Sequence, residues 1–156
     1  MVPTRITRDP NFGRVLPHAR LRSVSPRLEV LLKLVFAIFP QGVEPLKSVT
    51  ALQMGRRGEM KGLVGLTRYC CIRTEDNQVS GDRGPDQTIT FYSDLFDEIS
   101  DRSAIGVVAH ELAHAWLNEH IHPDASKKRE SEADNLAREW GYGEYLAALA
   151  SETDPV

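Results

Sequence analysis

Apolar residues recur at helical spacing in two long stretches of the chain. The first, LEVLLKLVFAIF at 28–39, follows a serine and a proline at 25 and 26, which are typical of a helix start, and precedes Pro40, which ends a helix. It contains two charged residues and is 12 residues long, whereas a membrane span needs about 20. The pattern therefore predicts a buried helix.

The second stretch, DRSAIGVVAHELAHAWLNEH at 101–120, predicts a long helix. This helix begins near Ser100 or Asp101 and continues to about His120, before Pro123. Apolar residues surround its polar ones on nearly every side, which indicates a central helix. A further helix is predicted from Ser126 to Gly141, and a last one over 143–150.

Strand-forming residues are concentrated in two shorter segments. Residues 61–74, KGLVGLTRYCCIRT, favour a strand or hairpin, and TITFYS at 88–93 favours a short strand, with a loop of turn formers over 75–87 between them. Residues 1–24 show no periodicity and predict an irregular N-terminal arm. The pattern predicts an α+β fold: a single domain over 25–156 with a short twisted sheet, a long central helix and two helices after it.

Composition narrows the functional classes. The chain has 156 residues and a net charge of −3, from 19 basic and 22 acidic residues without a sustained basic stripe, which does not indicate nucleic-acid binding. The two cysteines, Cys70 and Cys71, are adjacent and poorly placed to bridge each other, which favours buried thiols in a reducing cytosol. The N-terminus lacks the apolar core of a secretory signal, so we expect a cytoplasmic protein without a membrane span.

The segment VVAHELAHAW, residues 107–116, places two histidines and a glutamate in an otherwise apolar run. On a helix, His110 and His114 lie about 40° apart on one face, so both imidazoles can reach one ion. The segment matches H-E-x-x-H, in which the histidines bind zinc and the intervening glutamate is the general base on a zinc-bound water. The motif predicts Zn²⁺ as cofactor, with Glu111 as the catalytic base.

Two histidines do not complete a zinc site, and the residues leave the third ligand open. His120 has metzincin spacing, but Leu117 stands where that pattern has glycine, and a continuing helix directs His120 about 80° away from His110. An acidic cluster in RESEADNLAREW offers Glu130 and Glu132 at opposite edges of an apolar stripe. Helical geometry alone does not choose between these carboxylates.

HELAH followed by ESEAD resembles the gluzincins, the thermolysin-type zinc peptidases, over residues 93–142. In size the chain is similar to minimal single-domain gluzincins and to ImmA/IrrE-type metalloproteins. The resemblance implies a zincin-like fold, Glu130 as third zinc ligand, and Asp134 as the partner that orients a ligand histidine. It also implies hydrolysis of a peptide or protein substrate, held as an added strand at a sheet edge.

The alternative is a metalloregulatory or protein-binding module that keeps the zincin scaffold without general proteolytic activity. The thermolysin substrate-binding and oxyanion residues have no match in this chain. Candidate oxyanion stabilisers are His122, Tyr142 and Tyr145.

Overall fold

A computed structural model describes residues 9–56, 70–75, 86–121 and 126–153 of the chain. It contains helices and a small sheet, a mixed α+β architecture. The helices are α1 (Pro10–Val15), α2 (Pro26–Ile38), α3 (Ser93–Phe96), α4 (Asp101–His120), α5 (Lys127–Ala137) and α6 (Gly143–Thr153). The strands are β1 (Arg20–Arg22), β2 (Val49–Gly55), β3 (Cys70–Glu75) and β4 (Asp86–Tyr92).

The three long predicted helices begin at serine caps. The hydroxyl oxygens of Ser25, Ser100 and Ser126 each accept a hydrogen bond from a backbone N–H three residues later, which starts α2, α4 and α5. These helix starts are confirmed. Beyond α5, a π-helical turn over Arg138–Tyr142 contains Gly141 at φ 104°, a backbone conformation that suits glycine, and it separates α5 from α6.

The strands lie in the order β1-β2-β4-β3. β1, β2 and β4 are parallel, and β3 pairs antiparallel with β4. The predicted strand at 88–93 is thus an internal strand, β4, which starts two residues earlier than expected. Of the predicted strand or hairpin at 61–74, only residues 70–74 lie in the described part of the chain, within β3.

The N-terminal segment differs from the irregular arm expected over 1–24. Asp9 accepts a hydrogen bond from the backbone of Asn11 and starts α1, while β1 extends the sheet. Phe12 and Val15 are buried in the core. The prediction was wrong here because six and three residues are too few to show periodicity; residues 1–8 lie outside the described residues.

Arg14 of α1 also closes the end of α2. Its guanidinium donates to the backbone carbonyl oxygens of Phe36, Phe39 and Pro40 at 3.1, 2.9 and 3.2 Å. The last carbonyls of a helix have no partner within it, so these hydrogen bonds satisfy groups that would otherwise lose hydration.

Helix α4 is central, as its apolar surroundings predict. Of its 20 residues, 14 are buried. It packs against α2, α5, α6 and β3. At the N-terminal end, Ser100 and Ser103 donate to the carboxylate of Glu152 on α6; near the C-terminal end, the side chain of Gln87 on β4 donates to the carbonyl of Ala115 at 3.0 Å. Polar contacts therefore fix both ends of α4 against its neighbours.

Within the described ranges, no helix combines the length and apolar character that crossing a membrane requires.

Candidate metal centre

Two histidines of α4 project from one face of the helix, one turn apart. The side chains of His110 and His114 are 12% and 5% exposed, and their ring centroids lie 4.6 Å apart with the planes at 79°. The helical spacing therefore brings both imidazoles to the same place, as predicted. Imidazoles buried to this extent need polar partners.

Helix α5 supplies a carboxylate to this pair. Glu130 lies in its first turn; its Oε1 is 3.3 Å from Nε2 of His110, and its Oε2 contacts Nε2 of His114. One ligand atom from each of the three residues lies within 4.8 Å of the others. Donors bonded tetrahedrally to zinc at about 2.0–2.1 Å are about 3.3–3.5 Å apart, so the spacing of His110 and Glu130 suits such an ion.

Two atoms of this cluster lack a normal hydrogen bond. Nε2 of His114 and Oε2 of Glu130 are buried and in contact with each other, yet neither has a hydrogen-bond partner of acceptable geometry among the described residues. Buried polar atoms are rarely left in this state, because an unmade hydrogen bond costs about 1–3 kcal/mol. Both atoms have lone pairs that can coordinate a metal ion, so this set of ligand atoms fits a bound cation.

Asp134 lies one turn after Glu130 on α5 and contacts the other side of His110. Its Oδ1 is 2.7 Å from Nδ1 of His110. A carboxylate can only accept here, so Nδ1 carries the proton and Nε2 is the nitrogen directed at Glu130. This is the arrangement by which a second carboxylate fixes the orientation and tautomer of a ligand histidine.

Charges within the cluster shift its pKa values strongly. Burial lowers the pKa of His110, but hydrogen bonds to Asp134 and Glu130 and the charge of Glu111 outweigh it and raise the pKa to about 10. Burial raises the pKa of Glu130, but the two histidines outweigh it and lower the pKa to about 2. The hydrogen bond to His110 lowers the pKa of Asp134. Without metal, the site thus holds a proton on His110 between ionised carboxylates.

These shifts predict how the metal-free protein responds to pH. The stabilisation from His110 is complete below pH 6.5 and is lost as the pH rises through about 10. The stabilisation from Glu130 is complete above pH 4.5 and is lost as the pH falls through about 2. We expect the melting temperature in a chelator to fall above pH 6.5, and zinc affinity to rise over the same range because zinc displaces the proton. Scanning fluorimetry of wild type and His110→Asn tests this; an equal slope in both would contradict it.

Glu111 follows His110 and is buried, with 3% of its surface exposed. Its carboxylate is close enough to His110 for its charge to contribute to the raised pKa. The predicted base is therefore adjacent to the candidate ion site, in a position with little access to bulk water.

The rival third ligands lie elsewhere. Glu132 accepts a hydrogen bond from Arg129 at 3.0 Å, and Arg129 is itself buried. His120 contacts Trp116 and Glu44 instead of His110 and His114. Neither residue joins the group that could hold a metal.

The structure describes two of the three candidate oxyanion stabilisers, Tyr142 and Tyr145. The Tyr142 hydroxyl is buried and donates to the carbonyl of Val35 on α2 at 2.5 Å, so it packs in the core and is engaged there. The ring of Tyr145 lies under Arg102, with the guanidinium carbon 5.6 Å from its centroid. His122 lies outside the described residues, as do the side chains of the adjacent cysteines in β3.

Comparison of the chain with protein-family models, curated proteins and solved structures finds no match in any of the three. A functional interpretation therefore depends on the residues of the site themselves.

Proposed function

We propose that this protein is a zinc-dependent metallopeptidase with a gluzincin-like site on a zincin-like scaffold. The observation that supports it is the convergence of His110, His114 and Glu130 from two helices, with ligand atoms within 4.8 Å of one another. A glutamate placed between the two histidine ligands is the residue that zinc hydrolases of this motif require. A cytosolic location is proposed from the adjacent cysteines, which suit a reducing compartment.

Each residue of the site has a distinct proposed role. When bound, zinc would supply a Lewis acid that polarises a peptide carbonyl and lowers the pKa of water. The carboxylate of Glu111 accepts a proton from the attacking water and later delivers it to the amine that leaves. Asp134 holds the Nδ1 proton of His110 and keeps Nε2 directed at the ion site. The low pKa of Glu130 keeps it ionised as a ligand throughout the physiological range.

Metal content tests the proposed ligand set. We expect about one zinc per chain in wild type purified without a metal-binding tag, and an affinity at least about 10-fold lower in Glu130→Ala, because a ligand carboxylate is lost. Glu132→Ala is the matched control from the same helix, and His120→Ala is the control from α4. Both are expected to retain zinc, and elemental analysis after dialysis measures all four proteins.

The variants separate the possible outcomes. Zinc lost in Glu132→Ala or His120→Ala but retained in Glu130→Ala would show that the third ligand is wrong. A wild type that takes up no zinc, even when it is added back, would end the metallopeptidase proposal. Zinc without cleavage of unfolded proteins or peptide libraries would favour the regulatory or binding alternative.

A further inference from the structure

A second group of titratable side chains lies at the C-terminal end of α4, away from the metal centre. His120, the last residue of α4, stacks on Trp116 with the ring centroids 4.2 Å apart and the planes at 15°. Six residues, or about 9 Å of helix axis, separate His120 from His114. The proposed peptidase mechanism does not use this group.

Both ring nitrogens of His120 face hydrogen-bond acceptors. Nδ1 is 3.0 Å from the carbonyl oxygen of Trp116, and Nε2 is 3.1 Å from a carboxylate oxygen of Glu44 and 3.6 Å from one of Glu119. A neutral imidazole has a single N–H. If it donates to the carbonyl, a lone pair on Nε2 faces two carboxylates. The doubly protonated ring satisfies all of these contacts.

The two carboxylates differ in how they are held. The side chain of Glu119 is 5% exposed, and its Oε1 accepts from the backbone N–H and the hydroxyl of Ser48 at 2.8 and 2.6 Å. That anchor does not need His120. The side chain of Glu44, in the connection between α2 and β2, is 77% exposed, and its hydrogen bond to His120 is the polar side-chain contact that the structure gives it. The protonation state of His120 therefore affects mainly the position of Glu44, because Glu119 is also held by Ser48.

We propose that Glu44, Glu119 and His120 form a proton-operated latch. The imidazolium donates to Glu44 and to the carbonyl of Trp116 at once, and so holds the connection between α2 and β2 against the end of α4. The neutral ring has one N–H for these two acceptors, so loss of the proton weakens the hold on Glu44 while Glu119 stays hydrogen-bonded to Ser48. Among the described residues, Glu44 and Glu119 are the charged groups that face the ring, and Trp116 covers its plane. Glu119 and His120 are the last two residues of α4, the helix that also carries His110 and His114.

NMR of the full chain in a chelator tests the latch. The His120 ring protons and the backbone amides of Val43, Glu44 and Leu46 are followed from pH 5 to 8 in wild type, Glu44→Gln and Glu98→Gln. In wild type the amides are expected to titrate with the ring. In Glu44→Gln the amides should no longer follow the ring, because the carboxylate that the imidazolium holds is gone. Glu98 is exposed and lies just before the N-terminal end of α4, opposite the latch, so Glu98→Gln should behave like wild type.

Two results would overturn the latch. One is a set of amides at 43, 44 and 46 that does not change with the protonation of His120, or that changes equally in wild type and Glu44→Gln. The other is a change in the His120 ring signal when zinc is added to a His114→Ala chain. A metal ion, and not a proton, would then bridge Glu44, Glu119 and His120. Neither result bears on the peptidase proposal, which metal content and turnover test separately.

Discussion

Glu111→Gln is expected to lower peptide hydrolysis by about 10²- to 10⁴-fold, the usual contribution of a general base, while the zinc content stays near one per chain. Glutamine keeps the shape and burial of the side chain but cannot accept the proton of the attacking water. The removed charge also contributes to the raised pKa of His110, so the variant should bind zinc with less competition from protons. Turnover of a peptide library and elemental analysis on the same samples measure both effects.

Two control variants test whether the loss of activity is caused by the loss of the general base. Glu132→Gln changes a carboxylate that pairs with Arg129 outside the ligand cluster, so it should keep both zinc and activity. His114→Ala should lose both. Full turnover in Glu111→Gln would show that another group moves the proton, even if the zinc ligands are as proposed.

The local part of the site could be predicted from the sequence, because it depends on helical spacing. His110 and His114, and likewise Glu130 and Asp134, are four residues apart, and four residues return to the same face of a helix. The choice between Glu130 and Glu132 could not be made in this way. It depends on how α5 packs against α4, which places Glu130 against the histidines, whereas Glu132 pairs with Arg129 three residues earlier on the same helix.

The fold, too, could be predicted only where it depends on local sequence signals. Serine caps are local signals, and they located the starts of α2, α4 and α5. Strand β2 has no such signal: Val49, Ala51, Leu52 and Met54 break the alternation of a half-buried strand, because its parallel neighbours β1 and β4 make it an inner strand. Pairings across such distances in the sequence cannot be obtained from a local pattern.

Gly106→Ala is expected to destabilise the protein by about 1–3 kcal/mol, the cost of overpacking a core. Gly106 is the residue of α4 where α6 crosses it, one turn before His110. A β-carbon there would lie 2.6 Å from the carbonyl oxygen and 3.0 Å from the carbonyl carbon of Tyr145. Both are backbone atoms, so no side-chain rotation relieves the clash, and α6 must move away from α4. Thermal unfolding should show a loss of about 2–12 °C in melting temperature for a chain of this size.

The sign of this effect separates packing from helix propensity. Alanine is favoured over glycine inside a helix by about 1 kcal/mol, so propensity alone would make Gly106→Ala more stable. Gly13→Ala is the matched control: Gly13 also lies in a helix, but its β-carbon would meet nothing within 4 Å. We expect Gly13→Ala to be neutral or stabilising and Gly106→Ala to be destabilising. A Gly106→Ala protein as stable as wild type would mean that α6 does not approach α4 this closely.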